Sequence, residues 1–145
     1  MEGYGDFCPL SRAAEIYATR WTPLIIRNLQ FGCSTFTEIR DGLPGISRTV
    51  LTQRLRMLEH HGIIERDDRL EYRLTEKGLD LYPVLVSLME WGEKYAAGPA
   101  GPQVLLTHRD CGAGVQLQLS CADGHVLGSP REVTPLPGPG ARKIA

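Results

Sequence analysis

Long hydrophobic runs and a clear excess of either charge are missing from this chain of 145 residues. No apolar run approaches the roughly 20 residues of a membrane span, and none resembles the core of a signal peptide. Residues 1–6 also lack the basic start of such a peptide. We therefore expect a cytoplasmic protein with no membrane partner.

Basic residues do not dominate either, because sixteen Lys and Arg stand against seventeen Asp and Glu. Many DNA-binding domains are strongly basic, so this balance counts against nucleic acid as a partner. The charge is uneven, however, since residues 47–61 contain three Arg and a single Glu. The local field of this segment therefore matters more than the net charge.

Cysteine is scarce, and in a reducing compartment the four that occur are expected to be free thiols, redox switches or metal ligands. No phosphate-binding Gly loop or paired acid motif is present. The nearest approach to a catalytic set is Cys111 with His108 and Asp110, which lie too close together in one turn to align as a triad. We expect no enzyme activity.

The most informative stretch runs from Ser47 to Gly62. Ser47 can cap the start of a helix, and Gly62 can take the left-handed conformation that ends one. Between them Leu51, Leu55 and Leu58 form one apolar stripe at helical spacing. The sequence therefore predicts a helix of about four turns with one buried face.

Polar side chains project from the opposite face of this helix: Thr49, Thr52, Gln53 and Arg56. Arg can contact guanine, Gln can contact adenine, and Thr can contact a thymine methyl group or a phosphate. An ordinary amphipathic surface helix also has a polar face, so the flanking elements decide between that interpretation and a recognition helix.

The preceding residues predict three helices. Pro9 suits the first position of one helix, Thr22 is expected to cap a second, and Thr37 a third that finishes near residue 43. A very short strand is predicted at residues 35–36. A turn at residues 43–46 then leads into the recognition helix, which gives a helix-turn-helix pattern.

The following residues alternate between apolar and polar and predict a two-stranded wing around residues 64–74. One long helix should follow from Thr75, with an early kink at Pro83. Its apolar residues exceed what one face needs, which suggests a dimer seam; the alternative is that they complete the monomer core.

The last third of the chain differs in composition. Residues 98–102 are expected to form a hinge, and residues 103–128 a small β-hairpin appendage with strands at 104–108, 115–120 and 126–127. Residues 129–145 are rich in Pro and Gly and are expected to be disordered.

Two His/Cys pairs occur in this appendage: His108 with Cys111, and Cys121 with His125. Four such ligands suit tetrahedral zinc, which would stabilise a hairpin too small to fold alone. The alternative is a plain hairpin in which these residues have no shared role. No cofactor is required, and a structural zinc ion is the one metal that the sequence suggests.

The order of these landmarks resembles the HxlR family of bacterial winged-helix transcription regulators, relatives of the MarR-type proteins. The resemblance covers about residues 7–95. The matching blocks are residues 8–9, 20–22, 43–47, 51–55, 58–59, 62–66, 72–78 and 91–92.

The resemblance implies an α+β, mostly α, winged helix-turn-helix fold over residues 7–97, with dimerisation through the first and last helices. The expected dimer residues are Leu10, Tyr17, Leu85, Leu88, Met89 and Trp91. The function implied is a sequence-specific transcriptional regulator that binds a (pseudo)palindromic operator as a homodimer and responds to redox state or to a ligand of unknown identity. The alternative is an interaction module of the same fold that no longer binds DNA.

Double-stranded DNA is thus the expected partner. The expected DNA contacts are Ser47, Arg48, Thr49, Thr52, Gln53, Arg56, Arg40, Arg66, Arg69 and Lys77. The wing is shorter than in many family members and has two Asp at its tip, which phosphate repels. If either Arg66 or Arg69 contacts DNA, we therefore expect it to contact the backbone.

Cys8 stands at the start of the first helix, where backbone dipoles favour the reactive thiolate. In part of the HxlR family a Cys that looks equivalent senses oxidants or electrophiles. The alternative is a packing residue at the edge of the dimer.

Overall fold

The structure is a computed structural model that describes residues 8–139. One compact unit ends at Leu85, and a second begins at Val86. Two predictions extend beyond the described residues: the domain start at residue 7, and the part of the disordered tail that covers residues 140–145. The predicted hinge at residues 98–102 lies inside the second unit.

The first unit has the element order of a winged helix-turn-helix. The helices are α1 (Pro9–Tyr17), α2 (Thr22–Gln30), α3 (Phe36–Asp41), α4 (Arg48–His60) and α5 (Glu76–Leu79), with strands β1 (Ile64–Arg66) and β2 (Tyr72–Leu74) before α5. Helix α6 (Tyr82–Ala96) begins in the first unit and continues into the second. The strands pair antiparallel, with Ile64 opposite Leu74. The predicted mostly helical winged fold is confirmed.

One hydrophobic core holds the first unit together. The apolar stripe of α4, formed by Leu51, Leu55 and Leu58, is fully buried as predicted. It packs in one cluster with residues of α2, α3 and β1, including Ile25, Ile26, Ile39 and Ile64. Because this stripe faces the core, the polar side of α4 has to face away from it.

The starts of α2 and α3 differ from the predictions. Trp21 precedes α2, so Thr22 is the first helical residue and not the cap. Thr22 is instead buried, with its hydroxyl 2.7 Å from that of Thr19. Thr35, not Thr37, caps α3.

Residues 35–36 form no strand, so that prediction was also wrong. The backbone before α3 is joined to the wing by a hydrogen bond: the Ser34 carbonyl accepts 2.7 Å from the Tyr72 N–H.

The predicted long terminal helix is two helices. The break falls at residues 80–81, between α5 and α6, and Pro83 is the second residue of α6. Proline is tolerated in the first turn of a helix because the N–H it lacks has no helical partner there. Pro83 therefore follows the break and does not kink a continuous helix.

In the second unit the predicted strands are reduced to isolated bridges. Thr107 pairs with Gly114 and Ser120 with Val126, both antiparallel. No residue from 97 to 139 is buried, so an alternating sequence has no core to pack against. A short 3-10 helix, Pro130–Glu132, lies in the segment predicted to be disordered. Across the described part of the chain, no helix is both long and apolar enough to cross a membrane.

Candidate nucleic-acid interface

The ends of α4 are fixed as the sequence predicts. The Ser47 hydroxyl accepts a hydrogen bond of 3.2 Å from the Val50 N–H, which caps the first turn. Gly62 follows the helix with φ of +65°, a conformation that favours glycine. The Ser47 cap and Gly62 therefore define where the helix begins and ends.

Helix α3 is positioned by two polar contacts. At its start Thr35 and Glu38 form a capping box, in which each side chain accepts a hydrogen bond from the other's backbone N–H. Near its end the buried side chain of Asn28 donates 3.3 Å from Nδ2 to the Ile39 carbonyl. These contacts fix α3, the partner of α4 in the helix-turn-helix.

Four of the predicted DNA contacts on α4 have exposed side chains: Arg48, Thr49, Gln53 and Arg56. We call these four residues the α4 face. Thr52, also predicted to contact DNA, is only half-exposed, and its hydroxyl donates 2.9 Å to the Arg48 carbonyl. The Ser47 hydroxyl is likewise engaged in the cap, so both side chains have structural partners.

The Arg48 guanidinium lies over the ring of Phe36, 5.5 Å from the ring centroid. A cation over an aromatic face is held by the ring quadrupole, which limits the rotamers open to a long side chain. Phe36 therefore connects α3 to the α4 face. An aromatic residue at the start of a helix gives no sequence signal of this role, so the contact could not be predicted.

The basic residues predicted to contact phosphate are mostly engaged within the chain. Arg40 donates to Asp41 at 2.8 and 3.0 Å, and the Lys77 ammonium donates 2.7 Å to the His61 carbonyl. The Nε atom of Arg66 lies 3.6 Å from a carboxylate oxygen of Glu59, and the Arg66 guanidinium lies over the Tyr72 ring. By contrast, the Arg69 side chain is exposed and without a partner among the described residues.

The wing tip has an internal cap that the sequence did not reveal. One carboxylate oxygen of Asp67 accepts hydrogen bonds from the backbone N–H groups of Arg69 and Glu71, at 2.9 and 3.0 Å. Leu70 between them has φ of +63°, which is uncommon for a residue with a side chain. Asp67 therefore has a structural role in closing the loop.

The family model for HxlR-like helix-turn-helix proteins matches residues 16–99, which includes α2 to α6 and the whole wing. The chain belongs to this family. The HTH-type transcriptional regulator Rv3095 of Mycobacterium tuberculosis is 42% identical over 137 residues, which cover 90% of this chain and 86% of that one. Regulator sll1512 of Synechocystis is 37% identical over 97 residues, 63% of this chain and 72% of that one.

Solved structures agree with this membership. The crystal structure of PA1607, a candidate transcription factor, superposes with a TM-score of 0.80 at 34% identity, over 90% of this chain and 95% of that one. The redox regulator HypR, in its oxidised form, matches with a TM-score of 0.58 at 31% identity, over 63% and 100%. The quinone-bound YodB of Bacillus subtilis gives 0.56 at 37%, over 61% and 100%.

This member of the HxlR-like family is a transcriptional regulator with a helix-turn-helix fold, and not an enzyme. Membership of this family implies that its partner is DNA. The α4 face lies on the second helix of that motif, the one that enters the major groove in helix-turn-helix proteins generally.

Cys8 occupies the N-cap position of α1 and is exposed. Its backbone carbonyl accepts from Arg12, while its side chain makes no cap hydrogen bond. The thiol is therefore open to solvent.

The residues predicted for the dimer interface differ in exposure. Leu10, Leu88 and Trp91 are exposed, whereas Tyr17 and Leu85 are buried and Met89 is half-buried. Burial raises the pKa of the Tyr17 hydroxyl, which has no hydrogen-bond partner among the described residues.

The four predicted metal ligands are brought together as two pairs. Cys111 Sγ lies 3.4 Å from His108 Nδ1, and Cys121 Sγ lies 3.4 Å from His125 Nδ1. Within residues 8–139 no group of three or more candidate ligands is found close together. The structure thus forms each Cys–His pair but does not bring the two pairs together.

Proposed function

We propose that this chain is a sequence-specific repressor or activator that binds a two-fold symmetric operator as a homodimer and responds to oxidants. The observation that carries the DNA-binding part is the α4 face. It presents two Arg, one Gln and one Thr on a capped helix whose first acidic side chain is Glu59, in its last turn. Such side chains can donate hydrogen bonds to base edges and phosphates.

Local charge supports this proposal despite the net charge of −1. Ion pairs with Asp41 and Glu59 partly neutralise Arg40 and Arg66. The guanidinium groups of Arg48, Arg56 and Arg69 make no ion pair among the described residues. No carboxylate therefore offsets the charge of these three Arg, which is available for phosphate or base contacts.

Exposed apolar side chains support a homodimer. On α6, Leu88, Trp91 and Tyr95 follow each other at i, i+3 and i+7 and are 49%, 61% and 63% exposed. On α1, Leu10 is 76% exposed. Surfaces of this kind usually mark an interface. A two-fold dimer would present two α4 faces, and hence favour a palindromic site.

Redox responsiveness is supported by the exposed thiol of Cys8 at a helix start and by the relatives. HypR is a redox regulator, and YodB has been solved with a bound quinone. Two Cys8 thiols could join in a disulfide by giving two electrons and two protons to hydrogen peroxide, which becomes two molecules of water. Action on DNA would place the protein in the cytoplasm.

The test is fluorescence anisotropy of the full chain with duplexes from its own upstream region, at two salt concentrations and before and after mild oxidation. Tight binding that weakens steeply with salt is expected, because phosphate contacts release counterions. If neither these duplexes nor a wide set of genomic fragments is bound in competition, the DNA-binding proposal is wrong and the interaction module replaces it.

A further inference from the structure

Residues 97–139 have defined turns but no core. Not one of their side chains is buried, and only Leu106, Leu127 and Ser129 are half-buried. Even so, the backbone forms two closed turns, with hydrogen bonds from the His108 N–H to Ala113 and from the Cys121 N–H to His125. Hydrophobic burial within so small a segment contributes little stability, and domains of this size usually rely on a disulfide, a metal ion or a partner.

Each of these turns contains one His and one Cys side chain at the same separation. The Sγ to Nδ1 distance is 3.4 Å in both pairs, and both use the same ring nitrogen. With Zn–S near 2.3 Å and Zn–N near 2.0–2.1 Å, two ligands of a tetrahedral zinc ion lie about 3.5 Å apart. Each turn therefore already presents two ligands at the spacing that one zinc ion requires.

Each turn contains a glycine, which directly follows Cys111 in the first turn and directly precedes His125 in the second. Gly112 and Gly124 have φ of +69° and +83°, a region that residues with a side chain rarely adopt. The Gly112 N–H donates 2.8 Å to the His108 carbonyl, and the Gly124 N–H donates 2.9 Å to the Cys121 carbonyl. The backbone therefore holds the two ligands of each pair on one side of a tight turn.

We propose that His108, Cys111, Cys121 and His125 bind one Zn²⁺ ion per chain, and that the two turns are its preformed halves. Two ligands alone leave a zinc ion half-coordinated, and the second pair supplies the two that are missing. Nine residues separate Cys111 from Cys121, so the second turn is available at a high effective concentration. Binding joins the two turns and gives the segment the stability that burial does not.

The chain offers a matched set of controls, because its other two Cys and two His lie in the first unit. A full-length C8S/C33A/H60Q/H61Q variant retains only the four proposed ligands. After chelation under reducing conditions, it is titrated with Co²⁺ as a spectroscopic substitute for zinc. We expect one equivalent per chain to give the intense visible absorption of tetrahedral cobalt, with thiolate charge-transfer bands, and Zn²⁺ to displace it.

In the same background, Cys111→Ser and Cys121→Ser should each abolish the tetrahedral spectrum, and His108→Ala and His125→Ala should weaken it. Hydrogen exchange should show that Zn²⁺ slows exchange at residues 104–127 but not in α2 to α4.

The proposal is overturned if the tetrahedral cobalt spectrum is absent, or if it survives Cys111→Ser and Cys121→Ser. It is also overturned if Zn²⁺ binds only by joining two chains, which sedimentation would show as a metal-dependent rise in mass. None of these readouts depends on DNA binding.

Discussion

Thr35 and Glu38 cap the start of α3 reciprocally. The Thr35 hydroxyl accepts 3.2 Å from the Glu38 N–H, and the Glu38 carboxylate accepts 2.9 Å from the Thr35 N–H. The same carboxylate oxygen also accepts 2.9 Å from the Ser34 N–H. Because Ser34 in turn accepts from Tyr72, this cap lies where α3 meets the wing.

The capping box should make stability depend on pH. Hydrogen bonds from the backbone of Ser34, and then of Thr35, hold the pKa of Glu38 below its ordinary value of 4.5. The folded state therefore favours the ionised carboxylate, and this stabilisation is complete above about pH 4.5 and is lost as the pH falls below it. Urea unfolding from pH 6 to pH 3 should show a smaller loss of stability in Glu38→Gln than in the wild type.

Glu93→Gln is the matched control, since Glu93 is exposed on α6 and makes no hydrogen bond or ion pair among the described residues. Its unfolding curve should follow the wild-type pH dependence. If Glu38→Gln does so as well, the capping box does not contribute to acid sensitivity.

Gly78 in α5 is required by its surroundings. A Cβ at this position would overlap the Ile63 carbonyl oxygen, which is backbone and cannot turn aside. Gly78→Ala should therefore lower the free energy of unfolding by about 1–3 kcal/mol despite the better helix propensity of Ala.

Gly92→Ala in α6 is the comparison, because nothing lies within 4 Å of an added Cβ there. That variant should gain about 0.5–1 kcal/mol. Denaturation of the two variants side by side measures both effects, and equal stabilities would show that the approach of α5 to Ile63 is loose.

The sequence predicted α4 and the wing well because local signals and the core agree there. Ser47, the Leu51, Leu55 and Leu58 stripe, and Gly62 each specify the same helix. At α3 the pattern Thr35-x-x-Glu38 is the better start signal than Thr37, because the capping box needs an acid three residues after the cap. That pattern predicts both the observed cap and the absence of a strand at residues 35–36.

Other features gave no local signal. The contact of Asn28 with the Ile39 carbonyl joins residues eleven apart, so only the tertiary fold reveals it. In the second unit an alternating pattern at residues 115–119 favoured a strand, but the pattern has meaning only when one face is buried. Since no residue from 97 to 139 is buried, the pattern produced only isolated bridges.

Arg56 should be the most informative DNA contact to remove. It is exposed on α4 and makes no ion pair within the described residues, so Arg56→Ala leaves no buried group unsatisfied. Operator affinity should fall by about 1–3 kcal/mol if Arg56 reads a base, and specificity at that base pair should relax. Arg131→Ala, in the second unit, should leave affinity unchanged; equal affinity in both variants would remove Arg56 from the interface.

Leu88 should be needed for the homodimer. Its side chain is 49% exposed on the same α6 stripe as Trp91, so a charge there would be buried without a partner in a dimer interface. Sedimentation of Leu88→Lys should show a monomer at concentrations where the wild type is a dimer. Leu136→Lys is the control, since Leu136 is 82% exposed outside any helix. A monomeric wild type would contradict the dimer proposal directly.

Cys8 should account for the response to oxidants. Its thiol is exposed at the start of α1, whereas Cys33 is only half-exposed and packs against the core of the first unit. A peroxide therefore reaches Cys8 more readily, and oxidation there would act on the helix that carries the exposed Leu10.

Mild peroxide should weaken operator binding by the wild type and by Cys33→Ala, but not by Cys8→Ser. Non-reducing gels should show a linked dimer in the first two proteins and none in the third. If Cys8→Ser still loses DNA binding on oxidation, another thiol is the sensor, and the same gels run on Cys111→Ser and Cys121→Ser would locate it.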